Sequence, residues 1–595
     1  MIDRPDAPDT GWARDIAALE DAQIKARLGN LSVERQVDLF LTLDWKQRLR
    51  IVRNSRRAAE IVRALPEQEV LLTIKGAGEE DSLPLVALTT PAQLRFVLDI
   101  ELWARDTVDD EKARLWLRYI LGCGERKMIQ FVENTDRELL IVMLAKLIKL
   151  VPYEEGVKVP EGLPSIMPDE FFTILSNVPE ETENLRLLMR ILRQWNRNEF
   201  YKLLFQVHGS VDAETEENAF RWRTSRLEEK GLVEFDEAIE IYGYIGEDEA
   251  KAAASSAPAV APSAGSAGAA PVYPVLLADR KTFFYRVLTS IDEPSVQNRL
   301  RTEIAFAANR LLVADARMLG DIDSMRAALN RLFAFVNVAL LFLTGGSERE
   351  AAVVLGAVPI KELFQIGFSR AADLKSIARS IAWRWWPHWE EKGFIFLDYP
   401  YDEVMKHVLL RVPQYLPFPK GGGIHFRDFE TLDEVNETRR MLDEIGAVAE
   451  ACFDKLGIPR PHEAEPELGT VFAAGVEEID CRNLMLTGFV NFATKDRFEI
   501  TPLTRRDIQC FFERVLDLRA SGERLVSEGA RAAFLSWLSA TTGFEEDRQV
   551  LLDAFFEAGV EVLEQEIGKV PSWEDLDPRY VGTLIFSRSY GQDER

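Results

Sequence analysis

Four indoles fall within seven residues at Trp383, Arg384, Trp385, Trp386, Pro387, His388 and Trp389. Indole faces attract cations and stack on planar ligands, and Glu390 and Glu391 follow at once. Trp385, Trp386 and His388 are therefore candidate ligand-binding residues. The competing reading is a helix end plugged into a core, since an indole more often packs with its single N–H satisfied.

A second candidate is Pro417-Phe418-Pro419-Lys420-Gly421-Gly422-Gly423-Ile424-His425, with Arg427 two residues on. Consecutive glycines let backbone N–H groups close around an anion, and Lys420 and Arg427 would add charge. No Gly-Lys-Ser/Thr follows, so this is no Walker loop, and a plain connecting loop is the competing reading. A third candidate is a divalent-cation site from His388, Glu403, His407 and His425, where Glu403 lies one helical turn before His407. No His-x-x-x-His or His-Glu-x-x-His spacing occurs, so those ligands would have to converge through folding. Beyond that cation no cofactor is expected. The absence of a nucleophile elbow, a dinucleotide fingerprint or a paired Cys-His arrangement favours a binding protein over an enzyme.

The elements that must position these groups read as helices. From Leu31 to Val151, starts at Ser32, Asp44, Ser55 and Pro66 recur every eleven or twelve residues. Each gives a helix of two or three turns with one apolar stripe, for instance Val33, Val37, Phe40 and Leu41. Thr90, Pro91 and Gln93 supply a capping box around a first-turn proline, Asp109 or Asp110 opens the next helix, and Gly122 and Gly124 can close it. A pair at Glu125 to Glu133 and Asp136 to Leu150 follows, the second apolar nearly all round. Helices this short are marginal alone, so the spacing predicts a superhelical, solenoid-like stack.

Strings such as "LSVERQVDLFLTLDW" and "IVRALPEQEVLLTI" resemble the short-helix superhelix of the cytoplasmic domain of bacterial magnesium transporters and, more distantly, the flagellar motor switch protein. The chain as a whole resembles a bacterial family of uncharacterised, acidic, all-helical proteins. The first resemblance covers about residues 31 to 150 and implies a superhelix, with magnesium sensing as the function it would carry. The transporter's metal-binding carboxylates have no residue-by-residue counterpart here, and no cystathionine-synthase-type domain or membrane helices follow, so transport is not implied.

A net charge of −26 and a pI near 4.9 disfavour a nucleic-acid backbone as partner. The first residues carry no apolar leader, and Cys123, Cys452, Cys481 and Cys510 are scattered without a Cys-x-x-Cys pair. Both point to a soluble cytoplasmic protein with reduced thiols. Leu332 to Leu343 is apolar but for Asn337, about two-thirds of what a bilayer core requires, and predicts a buried helix, not a membrane span.

After a Pro/Gly-rich loop from Pro152 to Pro168, helices are expected at Asp169 to Leu175, Glu181 to Trp195 and Asn198 to Val207. Asp212 to Glu249 holds thirteen acidic residues against four basic ones, with Arg221, Arg223 and Arg226 interrupting the acids, and predicts a helix with a solvated face. Ala250 to Pro274 collapses to mostly Ala, Ser, Pro and Gly, with almost no charge and no aromatic until Tyr273, and predicts a flexible linker. Longer helices follow, among them Glu293 to Ala314, Leu432 to Leu456, Arg505 to Leu518 and Glu545 to Ile567. "GFIFLDY" at Gly393 to Tyr399 is the best strand candidate.

The sequence thus reads as all-α: a lead-in (1–30), a short-helix superhelical stack (31–151), a helical continuation with an acidic segment (152–249), a linker (250–274) and a larger helical second half (275–595). The leading functional reading is a non-catalytic helical scaffold that binds a protein partner. Its rival is a ligand- or metal-binding enzyme or sensor with a pocket near Trp385, His388 and Lys420.

Overall fold

The computed structural model describes residues 19–153, 162–168, 171–210, 212–256, 282–291, 293–317, 319–394, 396–397, 399–417, 426–458, 479–520, 522–587 and 590. Helices dominate, and the chain is all-α with three small antiparallel sheets. It divides into two compact units, Met1–Ile366 and Gly367–Arg595.

The first unit opens with ten short helices: α1 (Asp21–Leu28), α2 (Val33–Thr42), α3 (Trp45–Asn54), α4 (Ala58–Ala64), α5 (Glu67–Ala77), α6 (Leu83–Leu88), α7 (Pro91–Glu101), α8 (Asp110–Gly122), α9 (Glu125–Asn134) and α10 (Arg137–Leu147). Two more, α11 (Thr182–Trp195) and α12 (Arg197–Gly209), extend the series. Each helix from α1 to α10 packs on the one two places further along. That unbroken ladder is how helices too short to persist singly bury their stripes in one continuous spine. The caps are local: Ser32 accepts from Arg35 N, Asp44 and Gln47 form a capping box, Thr90 and Gln93 form another, and Asp109 accepts from Glu111 N and Lys112 N. Ser55 does not open α4, which starts at Ala58. Its hydroxyl instead accepts from Arg57 N and donates to Gln36 Oε1 at 2.7 Å.

The C-terminal ends of these helices are closed by a different device. The last carbonyls of a helix have no partner within it, and here buried polar side chains of neighbouring helices supply one. Gln36 Nε2 donates to Leu28 O and Leu31 O, both at 3.0 Å, beyond the end of α1. Arg48 reaches Leu41 O and Leu43 O at the end of α2. Gln93 Nε2 spans to Val62 O at 2.7 Å and Leu65 O at 2.6 Å at the end of α4, and Lys127 Nζ to Thr89 O at 2.7 Å after α6. Arg48 is fully buried, pairs with the equally buried Glu69 at 2.7 Å, and lies over the rings of Phe40 and Trp45. Gly76 is required opposite that indole, since a Cβ there would sit 2.4 Å from it.

Three expectations for this unit are corrected. The helix expected to reach Leu150 stops at Leu147, and Ile148–Pro152 is a strand, β3, following a two-residue hairpin of β1 (Trp103–Ala104) and β2 (Thr107–Val108). The expected loop at 152–168 ends in strand β4 (Ser165–Pro168), with residues 154–161 outside the described ones. The expected helix at Asp169 to Leu175 is strand β5 (Phe172–Ser176), the centre of a β3-β5-β4 sheet in register from Ile148 opposite Ser176 to Pro152 opposite Phe172. Pairing with a strand about twenty residues upstream overrode the local helical reading.

The acidic segment begins as α13 (Asp212–Glu228), packed on α10. Two of its arginines face inward. Arg226 donates to both carboxylate oxygens of Asp99 at 2.8 Å and meets Asp136 at 2.6 Å, while Arg223 Nε donates to Asp99 O at 2.6 Å. Burial pulls the Asp99 carboxyl above its ordinary pKa against the pull of Arg226.

The unit continues through α14 (Phe235–Ala238), α15 (Glu247–Ser256), α16 (Phe283–Thr289), α17 (Pro294–Ala314), α18 (Ile322–Thr344) and α19 (Glu348–Ala357). Helix α15 runs into the expected linker, whose residues from 257 on lie outside the described ones. Helices α14 and α17 pack together, as do α15 and α18, so residues from both sides of that stretch share the first unit. Helix α18 is 23 residues long and apolar enough, by length and composition, to cross a membrane, and 72% of its most apolar window is buried within the fold. Asn337 in its middle accepts from Phe284 N at 2.7 Å.

Helix α20 (Ile360–Trp385) leads into the second unit, followed by α21 (Trp389–Lys392), α22 (Tyr401–Val408), α23 (Leu432–Ala449), a π-helical turn (Glu450–Lys455), α24 (Cys481–Lys495), α25 (Arg505–Arg514), α26 (Glu528–Thr542) and α27 (Glu546–Ile567). The helix expected to run to Leu518 ends at Arg514, and Leu516–Leu518 pairs as β6 with β7 (Arg524–Val526). Of "GFIFLDY", Phe396 makes one isolated bridge to Asp480. Phe489, Phe534 and Phe556 meet at ring distances near 5 Å in the core of this unit.

Candidate functional site

Within the second unit α23 packs along α27. Together with the last two turns of α20 they enclose an open groove of about 470 Å³. Each helix presents positions one turn apart: Ile377 and Ile381, Leu442 and Gly446, Asp547 and Leu551. That is the spacing at which side chains stack on one face. The floor is apolar, Trp385 forms one wall, and Arg384, Asp443, Asp547 and Arg548 carry charge at the rim.

The two arginines are held from below. The π-helical turn after α23 brings Glu450 to Arg548 at 2.7 Å and Asp454 to Arg384 at 2.8 Å. Asp454 also accepts from the Trp385 indole N–H at 3.2 Å, and the Arg384 guanidinium lies 4.5 Å over the same ring. Arg548 further donates to Gly446 O at 3.1 Å and covers Phe544. Neither carboxylate of the rim is matched in this way. Asp443 and Asp547 make no hydrogen bond or ion pair among the described residues. Partial burial raises the Asp443 carboxyl above its ordinary pKa, and the positive charges of Arg439 and Arg548 only partly offset that.

The residues singled out in the sequence are dispersed relative to this groove. Trp385 lines it. Trp386 is equally buried, but packs edge-on against Phe394 and Phe453. Trp389 stacks on Phe394, Trp383 is 68% exposed, and His388 sits at the exposed start of α21. Arg427 meets Glu434 at 2.5 Å and Glu430 at 3.3 Å, and lies over Tyr415. Since Glu434 closes the capping box of α23, Arg427 serves that helix start. Lys420 and His425 lie outside the described residues.

Glu403 and His407 do share one face of α22. His407 Nδ1 is 2.9 Å from Glu403 O and 3.5 Å from its carboxylate, with the ring stacked on Phe426. Lys406 takes Glu403 Oε1 at 2.9 Å. Among the described residues no group of three or more His, Cys, Asp or Glu side chains is placed to hold a metal ion.

Sequence reasoning found Trp385 through its indole density and missed Asp443, Asp547 and Arg548. No local signal marks them, because the groove exists only where three helices spread over about 170 residues converge. Chemically the arrangement can bind: it offers apolar area, an indole wall and two open carboxylates, without a nucleophile and base in contact.

No curated protein and no solved structure matches the chain, and the resemblance of residues 31 to 150 to the magnesium-transporter and motor-switch superhelices is not shown by these comparisons. Residues 25–587, nearly the full length, match the family described as "Family of unknown function (DUF6178)", and the chain belongs to that family.

Proposed function

We propose that this protein is a non-catalytic helical scaffold that binds a protein partner, with the groove at Trp385 as the seat for a segment of that partner. The observation that carries the reading is the groove itself: about 470 Å³, floored by Ile377, Ile381, Leu442 and Leu551, and open to solvent between three helices. A groove of this kind accepts the apolar face of an amphipathic helix. Along α20 the lining from Ile377 to Trp385 spans about 12 Å at 1.5 Å per residue, the length of two helical turns of an occupant. The helical repeat of the first unit serves in this reading as a rigid body.

The remaining expectations belong to the same proposal. The protein works in the cytoplasm with its cysteines free, without a cofactor, and without nucleic acid, which a net charge of −26 repels. The buried setting of α18 supports a role as a core helix. The test is site-specific photo-crosslinking from position 380, where Ser380 lines the groove and is exposed. The expected result is one host protein captured through one mapped segment, and lost when Leu551→Arg closes the floor. Capture that is equally strong from an exposed position on α13, or that survives Leu551→Arg, overturns the reading.

A further inference from the structure

The groove is selective in charge as well as shape, and this follows from which of its rim charges are already matched. Arg384 and Arg548 line it, but each is tied to a carboxylate that does not: Arg384 to Asp454 at 2.8 Å and Arg548 to Glu450 at 2.7 Å. Arg548 gives a further N–H to Gly446 O, and the Arg384 guanidinium lies on the Trp385 ring. Asp443 and Asp547 stand on different helices of the same rim and make no hydrogen bond or ion pair among the described residues. After pairing, the rim therefore keeps two carboxylates that no hydrogen bond or ion pair holds among the described residues, Asp443 feeling Arg439 and Arg548 only at longer range, above an apolar floor in a chain whose net charge is already −26.

We infer that the occupant of the groove is a basic amphipathic segment of the partner protein, an α-helical stretch of about two turns whose apolar residues rest on Ile377, Ile381, Leu442 and Leu551 and whose Lys or Arg side chains pair with Asp443 and Asp547. The inference rests on the groove being a docking site and adds the chemistry of what docks. Three features of the site fit such an occupant. Lining positions recur one turn apart on each helix, and the apolar pair Ile377 and Ile381 on α20 is joined by Leu442 and Leu551 from the other two, which matches a helix laid along them. The carboxylates sit at the rim, where a Lys or Arg stem can lie over the apolar floor while its charged head reaches the acid. The Trp385 ring already holds one guanidinium, so the wall is suited to cationic company. An acidic segment would meet two unpaired like charges, and a charged segment of that sign is excluded.

The test uses the full chain and three synthetic helical peptides with the same apolar face, whose polar face is lysine-rich, glutamine-rich or glutamate-rich. Binding is read by isothermal titration at low and at physiological salt. The expected result is that the lysine-rich peptide binds at least tenfold tighter than the glutamine-rich one, that this advantage shrinks with salt, and that the glutamate-rich peptide does not bind. Asp443→Asn together with Asp547→Asn should remove the advantage while leaving the glutamine-rich peptide unchanged. Asp443→Lys with Asp547→Lys should transfer the preference to the glutamate-rich peptide. Circular dichroism identical to the parent chain shows that these exposed positions have not perturbed the fold.

Equal binding of lysine-rich and glutamine-rich peptides overturns the basic-segment inference and leaves the groove as a docking site. Binding of none of the three, or binding that survives Ser380→Trp filling the groove, overturns both. Binding of a small aromatic amine where no peptide binds overturns the peptide occupant and replaces it with a small cation.

Discussion

The short-helix stack and the groove-bearing unit put their polar side chains to different uses. In the stack, Gln36, Arg48, Gln93 and Lys127 are buried, yet each donates to carbonyls at the end of a neighbouring helix. Their chemistry is consumed in holding short rods together, and none is left to meet a ligand. In the second unit the groove is built on longer helices, 18 residues in α23 and 22 in α27. There the charged side chains gather at one rim, with the arginines matched from within and the carboxylates left open. The buried donors that bridge the stack are thus structural, whereas the carboxylates open to a partner are exposed ones at the groove rim.

The most severe way to disturb that contrast is at Glu69. Glu69→Ala leaves the Arg48 guanidinium buried without its carboxylate, and removing one partner of a buried pair costs about 3–5 kcal/mol. Chemical denaturation of the first unit should show that loss, whereas Asp547→Ala in the second should change stability by less than about 0.5 kcal/mol, as expected of an exposed site. A smaller but sharper loss is expected for Gln93→Leu. It keeps the volume and strips the donor from Val62 O and Leu65 O, and leaving buried acceptors unmatched costs about 1–3 kcal/mol. Hydrogen exchange should then accelerate at the end of α4 before anywhere else.

A third prediction concerns pH. Burial lowers the Lys127 ammonium from 10.5 to about 8 and raises the Cys123 thiol from 9.0 to about 11. Between pH 8 and 10.5 the unfolded chain holds a proton on Lys127 that the folded chain has released, so stability rises with pH there. Between pH 9 and 11 the folded chain keeps a thiol proton that the unfolded chain has lost, so stability falls. From these two groups the rise is confined to pH 8–9, at most about 1.4 kcal/mol per unit, with near cancellation up to 10.5. Cys123→Ala should prolong the rise to pH 10.5, and Lys127→Met should abolish it. Denaturation midpoints across pH 7 to 11 would measure both.

Much of this contrast was legible in the sequence, and the rest was hidden for physical reasons. Ser32, Asp44, Thr90 with Gln93, and Asp109 announce helix starts because a cap acts on N–H groups two or three residues away. Strand β5 reads locally as helix because its partner β3 lies outside any local window, whereas β6 after α25 is taken from the helix by a hairpin with β7 only six to ten residues on. Gln93 announced only half its role: its side-chain oxygen accepts from Thr90 N in the capping box, while its amide nitrogen spans about 30 residues to Val62 and Leu65. Trp385 stood out because indoles are conspicuous, and so did Trp386 and His388, which the fold places elsewhere. Asp443 and Asp547 look like ordinary surface acids until three helices meet around them.

In the proposed division of labour, polar groups of the stack hold the fold while open carboxylates of the groove receive the partner segment. Its most direct test is a paired measurement on Gln93→Leu and on the Asp443→Asn, Asp547→Asn double variant, recording the denaturation midpoint and the Kd for the lysine-rich peptide on each. Gln93→Leu is expected to lower the midpoint and leave Kd unchanged, and the double variant to weaken Kd at least tenfold and leave the midpoint unchanged. A double variant that binds like the parent, or a Gln93→Leu chain as stable as the parent, would contradict it.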